Sequence, residues 1–225
     1  MFDKLKELKD LSDKLEPSES ERRYWSQKVF EYSSSFIDNI AGLPVYSKKE
    51  TDLKALEKID FSEEARPLAE LMQIIATDVD GTGINPAAPG HLGYVPGGGV
   101  FPTALGDFLA AVTNRYAGIF YANPGAVLME EKCIQWMAQL IGYPSTCAGN
   151  LSSGGSIATL TALTAARDHH QITPENVRTR AIYLTRQAHH CILKALRIAA
   201  LDYAQIRFVP MQSAYQMDIE ALKRA

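Results

Sequence analysis

From Ser145 to the end of the chain the apolar residues change period repeatedly. Short runs at 148–151, 181–185 (AIYLT) and 205–210 (QIRFVP) have the length and composition of strands, and the stretches at 156–169 and 190–201 have helical spacing. Strands separated by helix-length connections pair through crossovers. The order βαβαβ therefore predicts an α/β domain with a mostly parallel sheet and right-handed crossovers.

The joint between the first expected strand and the first expected helix is the most informative stretch, residues 150–161, NLSSGGSIATLT. The start of a helix exposes backbone N–H groups without intrahelical partners, and its dipole favours an anion. Gly154 and Gly155 let a phosphate approach the backbone, and the hydroxyls of Ser153 or Ser156 can donate to it. The alternative is a tight turn with Ser156 as N-cap. A P-loop is excluded because no lysine follows the glycines, and neither the G-x-G-x-x-G spacing nor a G-x-S-x-G elbow occurs here. What fits is a single phosphate monoester. A second clue is Thr185–His190, TRQAHH, where two imidazoles stand at the carboxyl end of an expected strand, the edge at which open α/β sheets bind ligands. An imidazole there can stack on an aromatic ring and move a proton. A capping or solvent-facing role and metal ligation are the alternatives, the last lacking a completing set of carboxylates or thiols.

Upstream the texture is helical. Leu5, Leu8, Leu11 and Leu15 make one apolar stripe ended by Pro17, and Ser18 or Ser20 can cap a helix over about 21–40 with Trp25, Val29, Tyr32 and Phe36 on one face. Gly42, Pro44 and residues 47–51 read as a linker, and Ser62 opens a third helix over 63–77. These helices have little to close around, so they are expected to pack on another domain or subunit. Residues 78–101, DVDGTGINPAAPGHLGYVPGGGVF, are too rich in glycine and proline for long regular structure, and His91, Tyr94 and Phe101 leave a functional loop and a linker both open. Two further helices are expected, from 102 or 103 to 116 and over 126–141.

With 225 residues, 46% apolar, and a net charge of −3 from well-mixed 23 basic and 26 acidic side chains, the chain shows no footprint for nucleic acid or anionic lipid. A small-molecule or protein partner is expected. No run is long enough to span a membrane, and the start MFDKLKELKD is charged where a signal peptide is apolar. Cys133, Cys147 and Cys191 have no C-x-x-C spacing, are expected as buried small residues and suit a reducing cytoplasm.

Over about 61–209 the residues resemble the group II pyridoxal-phosphate-dependent amino-acid decarboxylases, a fold-type I family that includes aromatic-amino-acid and glutamate decarboxylases. Four blocks carry the resemblance in order. GHLGYVPGGGVFPTALGDFLAAV is similar to the substrate loop and following helix, and NPGAVLMEEKCIQWMAQLIGYP to the S-P-A-x-T-E-L-E helix. NLSSGGSIATLTALTAARD matches the T-S-G-G-S block, and YLTRQAHHCILKALRIAAL the S-x-x-A-H block. The resemblance implies a helical arm with the substrate loop over 1–100, followed over 101–225 by the first part of a mostly parallel-sheet cofactor domain. It implies pyridoxal 5'-phosphate as cofactor, held at its phosphate by Gly154, Gly155 and Ser156, with His189 stacked on the ring and placed to assist protonation. Tyr94 and Pro96, with Val95 and Gly97 beside them, would line the substrate side of a homodimer's active site, and the substrate would be an amino acid. Asn85-Pro86 departs from the family's His-Pro, and Val95 stands where aromatic decarboxylases commonly have Phe.

One part of the family pattern is missing. The lysine that binds the cofactor covalently, normally in a His-Lys pair, and the aspartate facing the pyridine nitrogen have no counterpart here; the lysines after the glycine turn are Lys194 and Lys223. The chain alone is therefore expected to be inactive, to stop within its cofactor domain, and to expose apolar sheet surface. Another carbon–carbon lyase using the same cofactor, or a non-catalytic dimerising fragment, are the competing readings.

Overall fold

The computed structural model describes residues 2–13, 15–47, 53–60, 65–94 and 96–225. Two compact units are distinguished, Met1–Asn114 and Arg115–Ala225.

In the first unit, α1 (Phe2–Asp13) carries the leucine stripe, and all of Leu5, Leu8 and Leu11 are exposed. α2 (Glu19–Asp38) starts on Ser18, whose hydroxyl accepts from the Glu21 N–H while the Glu21 carboxylate reaches back to the Ser18 N–H, a complete capping box. Of its expected apolar face, Tyr32 and Phe36 are half-buried, whereas Trp25 and Val29 are exposed. Two residues of the expected linker form β1 (Tyr46–Ser47), which pairs antiparallel with β2 (Gly83–Ile84) from the glycine-rich loop. Residues 48–51 of that linker, and Ser62 and Glu63, lie outside the described residues.

A short helix not foreseen from the sequence, α3 (Lys54–Glu57), is capped from a distance. The half-turn bearing Asp78 supplies the cap, because the Asp78 carboxylate accepts from the Leu56 N–H at 3.0 Å and from the Thr77 hydroxyl at 2.6 Å. Those bonds satisfy a carboxylate that is only 9% exposed. The third helix is shorter than expected: α4 (Leu68–Ile74) begins after Pro67 and widens into a π turn, Ile75–Val79. α5 (Phe101–Thr113) stops three residues early because Asn114 adopts the left-handed conformation, φ 41°.

The second unit opens with α6 (Pro124–Leu140), where Asn123 caps the helix and Pro124 occupies its first position, two residues ahead of the expected start. The strand expected at 148–151 is not formed. The Leu151 N–H, which a ladder would have used, donates instead to the Glu130 carboxylate of α6 at 3.2 Å. Then follow α7 (Gly155–His169), β3 (Ala181–Leu184), α8 (Cys191–Ile198), β4 (Gln205–Phe208) and α9 (Ile219–Arg224). β3 and β4 pair in parallel, Ala181 opposite Gln205 through Leu184 opposite Phe208, so the β–α–β part of the expectation is present. Strand alternation sends Ile182, Leu184 and Ile206 to one side, where they pack on Val177, Leu196, Ala199, Leu201 and Ala204 with Leu160 and Leu163 of α7. The opposite side, with Tyr183 and Arg207, is exposed.

α7 and α8 run side by side in the same direction. Near their starts the Cys191 thiol meets the Thr159 hydroxyl at 3.9 Å, and at their ends the Arg167 guanidinium donates to the Ala199 carbonyl at 3.1 Å. Of the three cysteines only Cys191 is buried; Cys133 sits on an uncovered face of α6, and Cys147 is half-buried. Among the described residues no helix is long and apolar enough to cross a membrane.

Candidate functional site

Gly154 occupies the N-cap of α7 at φ 144°, ψ 169°, a backbone conformation that residues with a Cβ rarely adopt. Glycine there has no side chain to cap the helix. The first intrahelical bond runs from Ala158 N–H to the Gly154 carbonyl at 3.0 Å, so the N–H groups of Gly155, Ser156 and Ile157 have no partner within α7. A Cβ placed on either Gly154 or Gly155 would meet nothing within 4 Å, so the space over the turn is open. Ser156 is exposed in the first turn rather than at the cap, which corrects the N-cap alternative. The turn is held from behind: the Ser152 hydroxyl donates to the Gly154 carbonyl at 3.3 Å, and Glu130 holds Leu151. Glu130 is the residue that sequence reasoning missed, because a carboxylate on a helix 21 positions upstream carries no local signal.

His189 follows β3 and is exposed. Its Nδ1 accepts from the Cys191 N–H at 3.2 Å, which leaves Nε2 as the nitrogen that carries a proton in the neutral ring. The His190 ring lies beside it, centroids 4.1 Å apart at 37°. The two imidazoles lie tilted against one another, and among the described residues no three His, Cys, Asp or Glu side chains gather as a metal would require. Because Cys191 touches Thr159, one turn or about 6 Å along α7 from Gly155, the glycine turn and His189 stand at the same end of the helix pair. The start of α7 thus offers unpaired N–H groups and a helix dipole, and His189 offers an imidazole at the same end of the helix pair, a combination suited to a phosphorylated aromatic ring. Lys194 is exposed on α8, and Lys223 is exposed and paired with Glu220 at 2.8 Å.

Tyr94 and Pro96 belong to the first unit and are both exposed. Tyr94 has φ 63°, and its ring stacks on His91 with centroids 6.3 Å apart. The Nε2 atom of His91 is buried without a partner among the described residues. Val95 lies outside the described residues. Asn85, at the departure from His-Pro, makes a turn by accepting from the Ala87 N–H at 3.0 Å.

The model of the pyridoxal-dependent decarboxylase conserved domain matches residues 50–225. The chain belongs to the pyridoxal-dependent decarboxylase family. It is 26% identical over 217 residues to an aromatic-L-amino-acid decarboxylase of Bacillus atrophaeus, covering 95% of this chain and 44% of the relative. It is 24% identical over 224 residues to the aromatic-L-amino-acid decarboxylase of Rattus norvegicus, covering 91% and 46%. The crystal structure of Catharanthus roseus tryptophan decarboxylase in complex with L-tryptophan superposes with a TM-score of 0.80 at 20% identity, covering 92% of this chain and 46% of that one. Mouse CSAD superposes with a TM-score of 0.75 at 20% identity, covering 92% and 45%. The fold is that of the family's fold-type I members, and the chain spans less than half the length of the curated relatives it matches.

Proposed function

We propose that this chain supplies the phosphate cradle and the ring-facing imidazole of a pyridoxal-phosphate-dependent amino-acid decarboxylase, a carboxy-lyase. The observation that carries the reading is the side-by-side start of α7 and α8, with an uncapped glycine N-terminus on one and His189 on the other. The N–H groups of Gly155 and Ser156 and the Ser156 hydroxyl hold the phosphate, and Gly154 provides the turn that aims them. His189 lies on the pyridine ring with Nδ1 held by Cys191, so Nε2 is free to hold or hand over a proton. When bound, the cofactor supplies an electron sink for the pair released as the α-carboxylate leaves as carbon dioxide. Tyr94 and Pro96 line the substrate side in a homodimer. The functional division runs at residue 100, arm and substrate loop before it and cofactor-binding residues after it. Three free cysteines fit a cytoplasmic setting.

Because neither lysine after the turn stands in a His-Lys pair, Lys194 being exposed on α8 and Lys223 paired with Glu220, the chain by itself should bind the cofactor reversibly and release no carbon dioxide. Equilibrium titration with pyridoxal phosphate, competed by inorganic phosphate, tests this. Gly155→Val should cost about tenfold in affinity, the scale of one charge-assisted hydrogen bond, while leaving the circular dichroism spectrum unchanged. A parent chain that does not bind, or equal affinity in parent and variant, would overturn the reading.

A further inference from the structure

The assignment of His189 leaves its neighbour without a role. Centroids 4.1 Å apart bring two imidazoles closer than edge contact allows, so one ring must lie over part of the other's face. The pair His169–His170 shows the contrast, edge to face at 5.0 Å and 81°. His190 is also anchored: its backbone is helical, φ −58° and ψ −21°, and its carbonyl accepts from the Lys194 N–H at 3.3 Å. Two contacts of different direction therefore act on the His189 ring. The Cys191 N–H bonds in the ring plane at Nδ1 and sets its rotation, and His190 lies across one face and sets its tilt.

We infer that His190 is a positioning residue that covers one face of the His189 imidazole, so that only the opposite face can receive an aromatic cofactor ring. The inference rests on the proposed reading of His189. It requires that any planar side chain at 190 serve as well as imidazole and that loss of the ring disturb His189 before any ligand is present.

The test uses the 225-residue chain with His190→Ala, His190→Phe and His189→Ala. Imidazole nitrogen NMR without cofactor should show the single Nε2–H tautomer of His189 in the parent and in His190→Phe, and mixed tautomers in His190→Ala. Pyridoxal phosphate affinity should fall about fivefold in His190→Ala, the scale of freeing one side chain, and recover in His190→Phe. An unchanged His189 signal in His190→Ala, or failure of His190→Phe to restore it, overturns the inference whether or not the cofactor binds. A disturbed signal together with full affinity in His189→Ala upholds the contact and overturns the assignment of His189 to the cofactor ring.

Discussion

Gly154 and Gly155 are neighbours with opposite reasons for being glycine. At Gly154 the reason is the backbone, since φ 144° is rarely reached by any residue with a Cβ; Gly154→Ala should destabilise the second unit by about 1–3 kcal/mol, read as a lower melting temperature. At Gly155 the reason is the space above it, so its substitution should spare stability and harm binding. Both glycines were visible in the sequence, but the division of labour between them was not, because it depends on one dihedral angle. A separate prediction belongs to Tyr32, whose hydroxyl donates to the Asp80 carboxylate at 2.5 Å. Burial first, then the bond to Asp80 and its charge, push the phenol from its ordinary 10.0 up to about 12. The folded form keeps this proton where the unfolded chain gives it up, so the stabilisation is fully present below pH 10 and is lost between about pH 10 and 12. Denaturant midpoints across that window should fall more steeply for the parent than for Tyr32→Phe; equal slopes would refute the coupling.

At the scale of elements, three helices of the second unit end alike. After α6, α7 and α8 the next residue but one turns left-handed, as Gly142 at φ 79°, Gln171 at φ 50° and Ala200 at φ 56°. In each case the following N–H returns to the last turn: Tyr143 to Ala138, Ile172 to Arg167 and Leu201 to Leu196. This explains what the sequence disclosed and what it hid. The end of α7 was legible from its basic last turn, Arg167 and His169, but α8 read three residues too long because alanine stands where a stop is normally marked by glycine. Leu196 and Leu201 supply the missing signal through their packing, being 0% and 4% exposed, which no local rule reports. Ala200→Gly should therefore stabilise the unit by about 1 kcal/mol, the cost of a Cβ in the left-handed region, and a lower melting temperature would contradict this. The strand expected at 148–151 failed for a related reason: periodicity shows a segment's readiness to pair but not whether a partner is beside it.

Across the whole molecule the accessible surface is 18387 Å², against about 10,000 Å² for a self-contained folded chain of 24.8 kDa. The excess is apolar in places that matter: α5 has no buried residue, with Leu105, Phe108, Leu109 and Val112 all 49–65% exposed. The proposed homodimer would cover part of this surface. Sedimentation velocity should show concentration-dependent association of the parent, weakened in the double variant Phe108→Asp, Leu109→Asp; a parent that stays monomeric would refute it. The placement of α5 has a further consequence in time. It is complete at Thr113, and at ribosomal rates the residues that follow in this chain take on the order of ten seconds to appear. Because α5 has no buried residue even when those residues are present, its bare apolar face outlasts that interval, and the demand for a chaperone is set by how soon a second chain arrives to form the proposed homodimer.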